Sequence, residues 1–274
     1  MTPFQAFILG IVQGATEFLP ISSSGHLVLV PWLLNWHFDP STAFIFDVLV
    51  QWGTILAVII YFRRELLSMV KAALRGISQR RPFDEPDARL AWLILLASLP
   101  AAVLGLLLKP VVEKTFDSPL AVSLFLLLTA AILFVSERLH RSEKPMKELT
   151  WVDSLWIGFA QTLALFPGIS RSGSTIAGGL LRSLKREDAA RFSFLLSIPA
   201  MLGAGIIALL DLAAIPDPGS QLLLLFIGFT SSALVGLAAI HWLLSYLRRR
   251  PLNIFVIYCT VAGLGGLITY AFKG

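Results

Sequence analysis

Glu17 and Arg171 are charged residues set inside apolar stretches, where a charge needs a partner or an ionic ligand. A cation held at membrane depth costs roughly 2.5–3.5 kcal/mol on insertion scales. Arg171 sits in Pro167-Gly168-Ile169-Ser170-Arg171-Ser172-Gly173-Ser174-Thr175. Its Gly, Ser and Thr neighbours offer backbone N–H groups, hydroxyls and loose φ angles, which suit a phosphate cradle. Gln13 and Glu17 lie four apart, on one face of a helix expected to end near Pro20. Ser22, Ser23 and Ser24 follow with more hydroxyls, then Gly25 and His26, a group that titrates near neutrality. Phosphoryl chemistry on a membrane-borne ligand accounts for this set. A structural Glu17–Arg171 salt bridge accounts for the pair, but not for the glycine and hydroxyl density around both.

The elements that must position these residues are apolar. The chain of 274 residues is 56% hydrophobic and 14% charged, too few charges to cover a soluble fold of this size. Mean hydropathy is +0.78, so an all-α integral membrane protein is expected, a single membrane domain over 1–274. Six runs are long enough to span a bilayer at about 20 residues each: 42–62, 90–109, 118–138, 190–212, 221–247 and 252–272. Two more apolar regions, 4–36 and 152–183, are broken near their middles by Pro and Gly-Ser clusters. They read as re-entrant helix–loop–helix hairpins, which are tolerated where irregular backbone is buried or lines a wet cavity. The opening Met1-Thr2-Pro3-Phe4 has no basic n-region, so no cleaved signal peptide is expected. Cys259 is the lone cysteine, which leaves neither a disulfide framework nor a cysteine metal site.

Lys and Arg set the orientation. Eighteen of the 22 fall in 63–89, 138–147, 182–191 and 248–250, and six spans put every one of these clusters on one side, with both termini outside. The net charge of +5 follows these orientation signals, so no nucleic-acid partner is expected. In this topology the two hairpins enter from opposite faces, the signature of an inverted-topology repeat. Gly10-Ile11-Val12-Gln13 resembles Gly158-Phe159-Ala160-Gln161, and each is followed by a Phe, a Pro and a Ser-Gly cluster. The expected halves are 1–140 and 150–274. Asp47 and Gln51, one turn apart, either line the same cavity or form a solvated helix start.

The motifs Gln13 to Glu17, Ser22 to His26 and Pro167 to Thr175 resemble those of the BacA-type undecaprenyl-diphosphate phosphatases, bacterial inner-membrane enzymes that recycle the cell-wall lipid carrier. The likeness extends through Phe46-Asp47, Gln51-Trp52-Gly53 and Phe192-Ser193-Phe194. Position 13 is Gln where the family admits Glu or Gln, so no second carboxylate stands there. The resemblance implies hydrolysis of a polyprenyl diphosphate to its monophosphate and inorganic phosphate, dependence on a divalent cation, an outward-facing site and bacitracin resistance.

On this reading the catalytic candidates are Glu17, Ser23, His26 and Arg171. Gln13, Ser22, Ser24, Gly168, Ser170, Ser172, Gly173 and Thr175 are expected to bind substrate. Glu17 would hold Mg²⁺ or Ca²⁺ with the diphosphate, because hard cations favour such oxygens. Two nucleophiles stay open: Ser23, with His26 or Glu17 taking its proton, or a water activated by Glu17 or His26. Two other classes remain, a flippase of the lipid monophosphate on transporter-like architecture and a scaffold or drug-efflux protein. The expected partners are the lipid substrate and membrane lipids. Oligomeric state is not readable, and a homodimer stays open.

Overall fold

The computed structural model describes residues 1–116, 118–141, 143–212 and 222–273. Among them the chain is all helical: α1 (Pro3–Phe18), α2 (Ser23–Leu33), α3 (Pro40–Tyr61), α4 (Arg63–Ser78), α5 (Pro86–Phe116), α6 (Pro119–Leu139), α7 (Trp151–Thr162), α8 (Arg171–Leu181), α9 (Arg186–Leu212), α10 (Leu222–Leu247) and α11 (Asn253–Lys273). Five stretches are long and apolar enough to cross a membrane, Thr42–Tyr61, Pro86–Val112, Pro119–Leu139, Leu222–Leu247 and Asn253–Lys273. The chain is therefore a multi-pass, all-α membrane protein. The remaining expected run, 190–212, is covered by α9, which is not among those five.

Short helices lie where the broken apolar regions were expected. At 1.5 Å per residue, an 11-residue helix such as α2 or α8 reaches about 16 Å, roughly half the hydrocarbon core. The two helix pairs are built alike. Thr2 caps α1 through a reciprocal capping box with Gln5, and Thr150 caps α7 through one with Asp153. Ser22 Oγ accepts the Gly25 N–H at the start of α2, at 3.2 Å; Ser170 Oγ accepts the Gly173 N–H at the start of α8, at 3.0 Å. Ser22 and Ser24 hydroxyls lie 3.3 Å apart, and those of Ser170 and Ser172 3.1 Å.

Close packing anchors the first pair. Among apolar helices in lipid, van der Waals fit replaces the hydrophobic drive, so small residues mark the contacts. Gly14 of α1 meets α10 so closely that a Cβ there would lie 2.5 Å from the Ser232 carbonyl oxygen. A tight joint forms at the other turn as well. Gly168 has φ +100°, and a Cβ would lie 2.5 Å from the Val122 carbonyl oxygen of α6, so glycine alone fits. The core behind the site is aromatic: Phe18 and Phe194 meet edge to face at 5.2 Å, with Phe62 beside Phe194 at 6.4 Å.

Candidate active site

α2 and α8 begin at the same place. Ser23 is the first residue of α2 and Arg171 the first of α8, and both side chains reach Glu17, the second-to-last residue of α1. Ser23 Oγ donates to Glu17 Oε2 at 2.6 Å, and Gln13 Nε2 donates to the same oxygen at 2.8 Å. Arg171 Nη2 donates to Oε1 at 2.9 Å. The Glu17 carboxylate is thus shared between the two helix pairs. The pair is enclosed, with side-chain exposures of 7% for Glu17 and 16% for Arg171. Arg171 keeps further N–H donors free, because its Nε and Nη1 are buried without a protein partner. A buried, unpaired N–H is costly, so these donors suit an anionic ligand. Two helix N-termini at one point add partial positive charge and unpaired N–H groups to the same spot.

The turn before Ser23 is strained. Ser22 has φ +71°, a left-handed conformation rarely taken by residues other than glycine. Its carbonyl lies 2.7 Å from His26 Nδ1, which donates to it. In the neutral ring this fixes Nε2 as an acceptor, and Tyr258 of α11 donates its O–H there at 2.6 Å. The two rings stack with centroids 5.6 Å apart. Both His26 nitrogens are thereby engaged away from Ser23. Tyr258 sits 232 residues away in an apolar span, and nothing local in the sequence marks it.

The hydroxyls of the second turn join parts of the fold. Ser172 Oγ donates to the Leu19 carbonyl at 3.0 Å, tying the two turns together. Thr175 Oγ1 donates to the Arg171 carbonyl at 2.8 Å and lies 2.6 Å from Ser193 Oγ of α9. Thr129 of α6 holds the turn from outside: its hydroxyl donates to the Gly168 carbonyl at 3.0 Å and accepts the Ser170 N–H at 3.1 Å. Asp47 on α3 is solvent-accessible and has no hydrogen bond to this cluster among the described residues.

Among the described residues no three His, Cys, Asp or Glu side chains converge as metal ligands. Glu17 is the single carboxylate of the cluster, one oxygen donor of the kind a hard cation takes.

Residues 6–265 match the model of the family described as bacitracin resistance protein BacA. Curated relatives align end to end. The undecaprenyl-diphosphatase of Desulforudis audaxviator is 40% identical over 274 residues, covering 100% of both chains. That of Myxococcus xanthus is 44% identical over 264 residues, 96% of this chain and 88% of its own. That of Chlorobium chlorochromatii is 44% identical over 279 aligned residues, 98% of each. A family match over almost the whole chain, together with relatives well above 30% identity, places this protein in the bacitracin resistance protein BacA family.

Proposed function

We propose that this chain hydrolyses undecaprenyl diphosphate to undecaprenyl phosphate and inorganic phosphate, and so contributes to bacitracin resistance. The observation that carries the reading is the shared carboxylate. Glu17 binds a hydroxyl nucleophile candidate and an arginine with free N–H donors at once. The names printed for its relatives support the same substrate.

The diphosphate brings several negative charges into an apolar setting, so neutralising them is the first task of the site. Arg171 offers its free Nε and Nη1 donors to phosphate oxygens, and the N-terminal N–H groups of α2 and α8 complete the cradle. Glu17 takes the Ser23 proton through Oε2 as Ser23 Oγ attacks the terminal phosphorus. The bond to the bridging oxygen breaks and undecaprenyl phosphate leaves. Water then attacks the phosphoserine, releasing inorganic phosphate and restoring the Ser23 hydroxyl. Gln13 holds the Glu17 carboxylate in position, and His26, tied to the Ser22 carbonyl, holds the strained turn. A divalent cation held by Glu17 and the diphosphate would supply further charge neutralisation.

The architecture that supports this reading is an inverted repeat of 1–140 and 150–274. In it, six spans surround two re-entrant hairpins, α1–α2 and α7–α8, whose tips meet near the midplane. The paired capping boxes and serine caps favour that arrangement. The setting is the bacterial cytoplasmic membrane, with both termini on the outer side.

Phosphate release from undecaprenyl diphosphate by the purified protein in detergent, with and without EDTA, tests the proposal. Glu17→Ala and Arg171→Ala are measured alongside. Metal-dependent release, lost in both variants, supports it. No release by folded wild-type protein with a divalent cation present overturns it in favour of a lipid transporter.

A further inference from the structure

Helix α4 presents three faces along its length. Met69, Ala72 and Gly76 are buried against the protein. Leu67, Val70, Leu74 and Ile77 form a second, apolar row at helical spacing, with exposures of 58%, 57%, 62% and 54%. Arg64, Ser68, Lys71 and Arg75 make the third. The rotation of the helix about its own axis is fixed by its neighbours. Glu65 pairs with Arg191 of α9, Ser68 donates to Asp87 of α5, and Arg75 pairs with Glu85 at 2.8 Å.

An unbroken row of four large aliphatic side chains in the open marks an interaction surface. What covers it follows from where α4 starts. Only Phe62 separates its first residue from the last residue of the spanning stretch Thr42–Tyr61, so the helix leaves the protein at the height where that span meets the membrane surface. A helix with one apolar and one basic face at that height lies in the interface plane, apolar side among acyl chains and basic side among headgroups. Arg64 and Lys71 have no acidic partner among the described residues. At the border of the two faces, Ser68, Lys71, Leu74 and Arg75 line a cavity of about 320 Å³. Its acidic neighbours are Glu85 and Asp87, already bonded to Arg75 and Ser68. The basic face therefore suits an anionic headgroup and the apolar row suits the chain attached to it.

We propose that α4 is a membrane-surface helix that binds anionic phospholipids, with headgroup phosphates along the face of Arg64, Lys71 and Arg75 and acyl chains along Leu67, Val70, Leu74 and Ile77. This site is separate from the Glu17–Arg171 cluster and does not rest on the phosphatase reading.

Nitroxide scanning of the full-length protein tests the orientation, with single cysteines placed at 64, 67, 70, 71, 74 and 77. Native Cys259 is fully buried, which restricts labelling to the new positions. In nanodiscs of equal parts phosphatidylcholine and phosphatidylglycerol, labels at 67, 70, 74 and 77 are expected to meet dissolved oxygen and be shielded from a water-soluble nickel reagent. Labels at 64 and 71 are expected to behave in the opposite way. Retention of phosphatidylglycerol over phosphatidylcholine, read by native mass spectrometry, is expected to fall about fivefold in Lys71→Gln. Nickel access at all six positions would overturn the proposal. So would dipolar coupling between like labels of two molecules, which would assign the apolar row to a second copy. Unchanged lipid selectivity in Lys71→Gln and in Arg64→Gln would overturn the headgroup site.

Discussion

Arg171 Nη2 lies 2.9 Å from Glu17 Oε1, although 154 residues separate the two along the chain. The contact uses Nη2 of the guanidinium and leaves Nε and Nη1 unpaired. Lysine keeps the charge of arginine but not its planar fork, so Arg171→Lys holds the pair and loses the free donors. The expected outcome is a kcat about 10²-fold lower, the order lost on removing one transition-state donor. Steady-state phosphate release checks it; full activity in Arg171→Lys would reduce the residue to a counter-charge.

Ser23 donates to Glu17 across 2.6 Å, the contact a proton transfer requires. Rapid quenching of the enzyme with a diphosphate labelled in its terminal phosphate should trap labelled protein. The label should map to Ser23 and vanish in Ser23→Ala. Incorporation of solvent oxygen into phosphate without any labelled enzyme would instead assign the attack to water.

Tyr258 touches the site only through His26. A single neutral hydrogen bond contributes about 0.5–1.5 kcal/mol, so Tyr258→Phe is expected to lower kcat by about twofold to tenfold. His26→Ala, which also frees the Ser22 carbonyl and with it the strained turn, is expected to cost more. A Tyr258→Phe loss beyond about 100-fold, above what one hydrogen bond supplies, would place Tyr258 among the reacting groups.

Asp153 lies at the start of α7, outside the five spans, with its side chain fully enclosed. Burial by itself raises the carboxyl, but hydrogen bonds from Lys144, from the Thr150 backbone N–H and from Arg182 outweigh it and hold the group well below the usual carboxylate range. In the window between the lowered folded value and the ordinary value near 3.9, the unfolded chain binds the extra proton. Stability from this group is therefore complete above that ordinary value and falls as pH drops towards the folded one. Thermal unfolding of Asp153→Asn in detergent should show a lower midpoint at neutral pH and a shallower decline in acid. An acid limb parallel to wild type would remove Asp153 from the acid response.

Much of the candidate cluster is legible in the sequence. Glu17, Ser23 and Arg171 are marked by charge or hydroxyl in apolar surroundings, and the two Ser-Gly turns by backbone chemistry that no continuous helix tolerates. The hydroxyls were harder to read. Ser170, Ser172 and Thr175 look like phosphate ligands in sequence, yet they bond the Gly173 N–H, the Leu19 carbonyl and Ser193. Composition cannot distinguish a hydroxyl that meets a ligand from one that closes a cap. Helix α4 was hidden for a different reason. Its basic residues read as an orientation signal, which drew attention from the row Leu67, Val70, Leu74 and Ile77 running between them. Tyr258 and Thr129 act on the site from distant helices, and nothing local marks either one.

Before any ligand arrives, both Glu17 oxygens are already occupied, one by Arg171 and the other by Gln13 and Ser23. An anion that drew Arg171 away from Glu17 would leave a buried carboxylate without its cation, a penalty of about 3–5 kcal/mol, whereas one met by the free Nε and Nη1 leaves the pair intact. The surrounding bilayer consists of phosphodiesters, each with one negative charge and no free terminal phosphate, present in vast excess over any rare lipid carrier. A singly charged headgroup that separated the pair would have to offset that penalty with one charge, whereas a terminal phosphate brings more. The closed resting pair thus sets a threshold that a more highly charged ligand meets more readily.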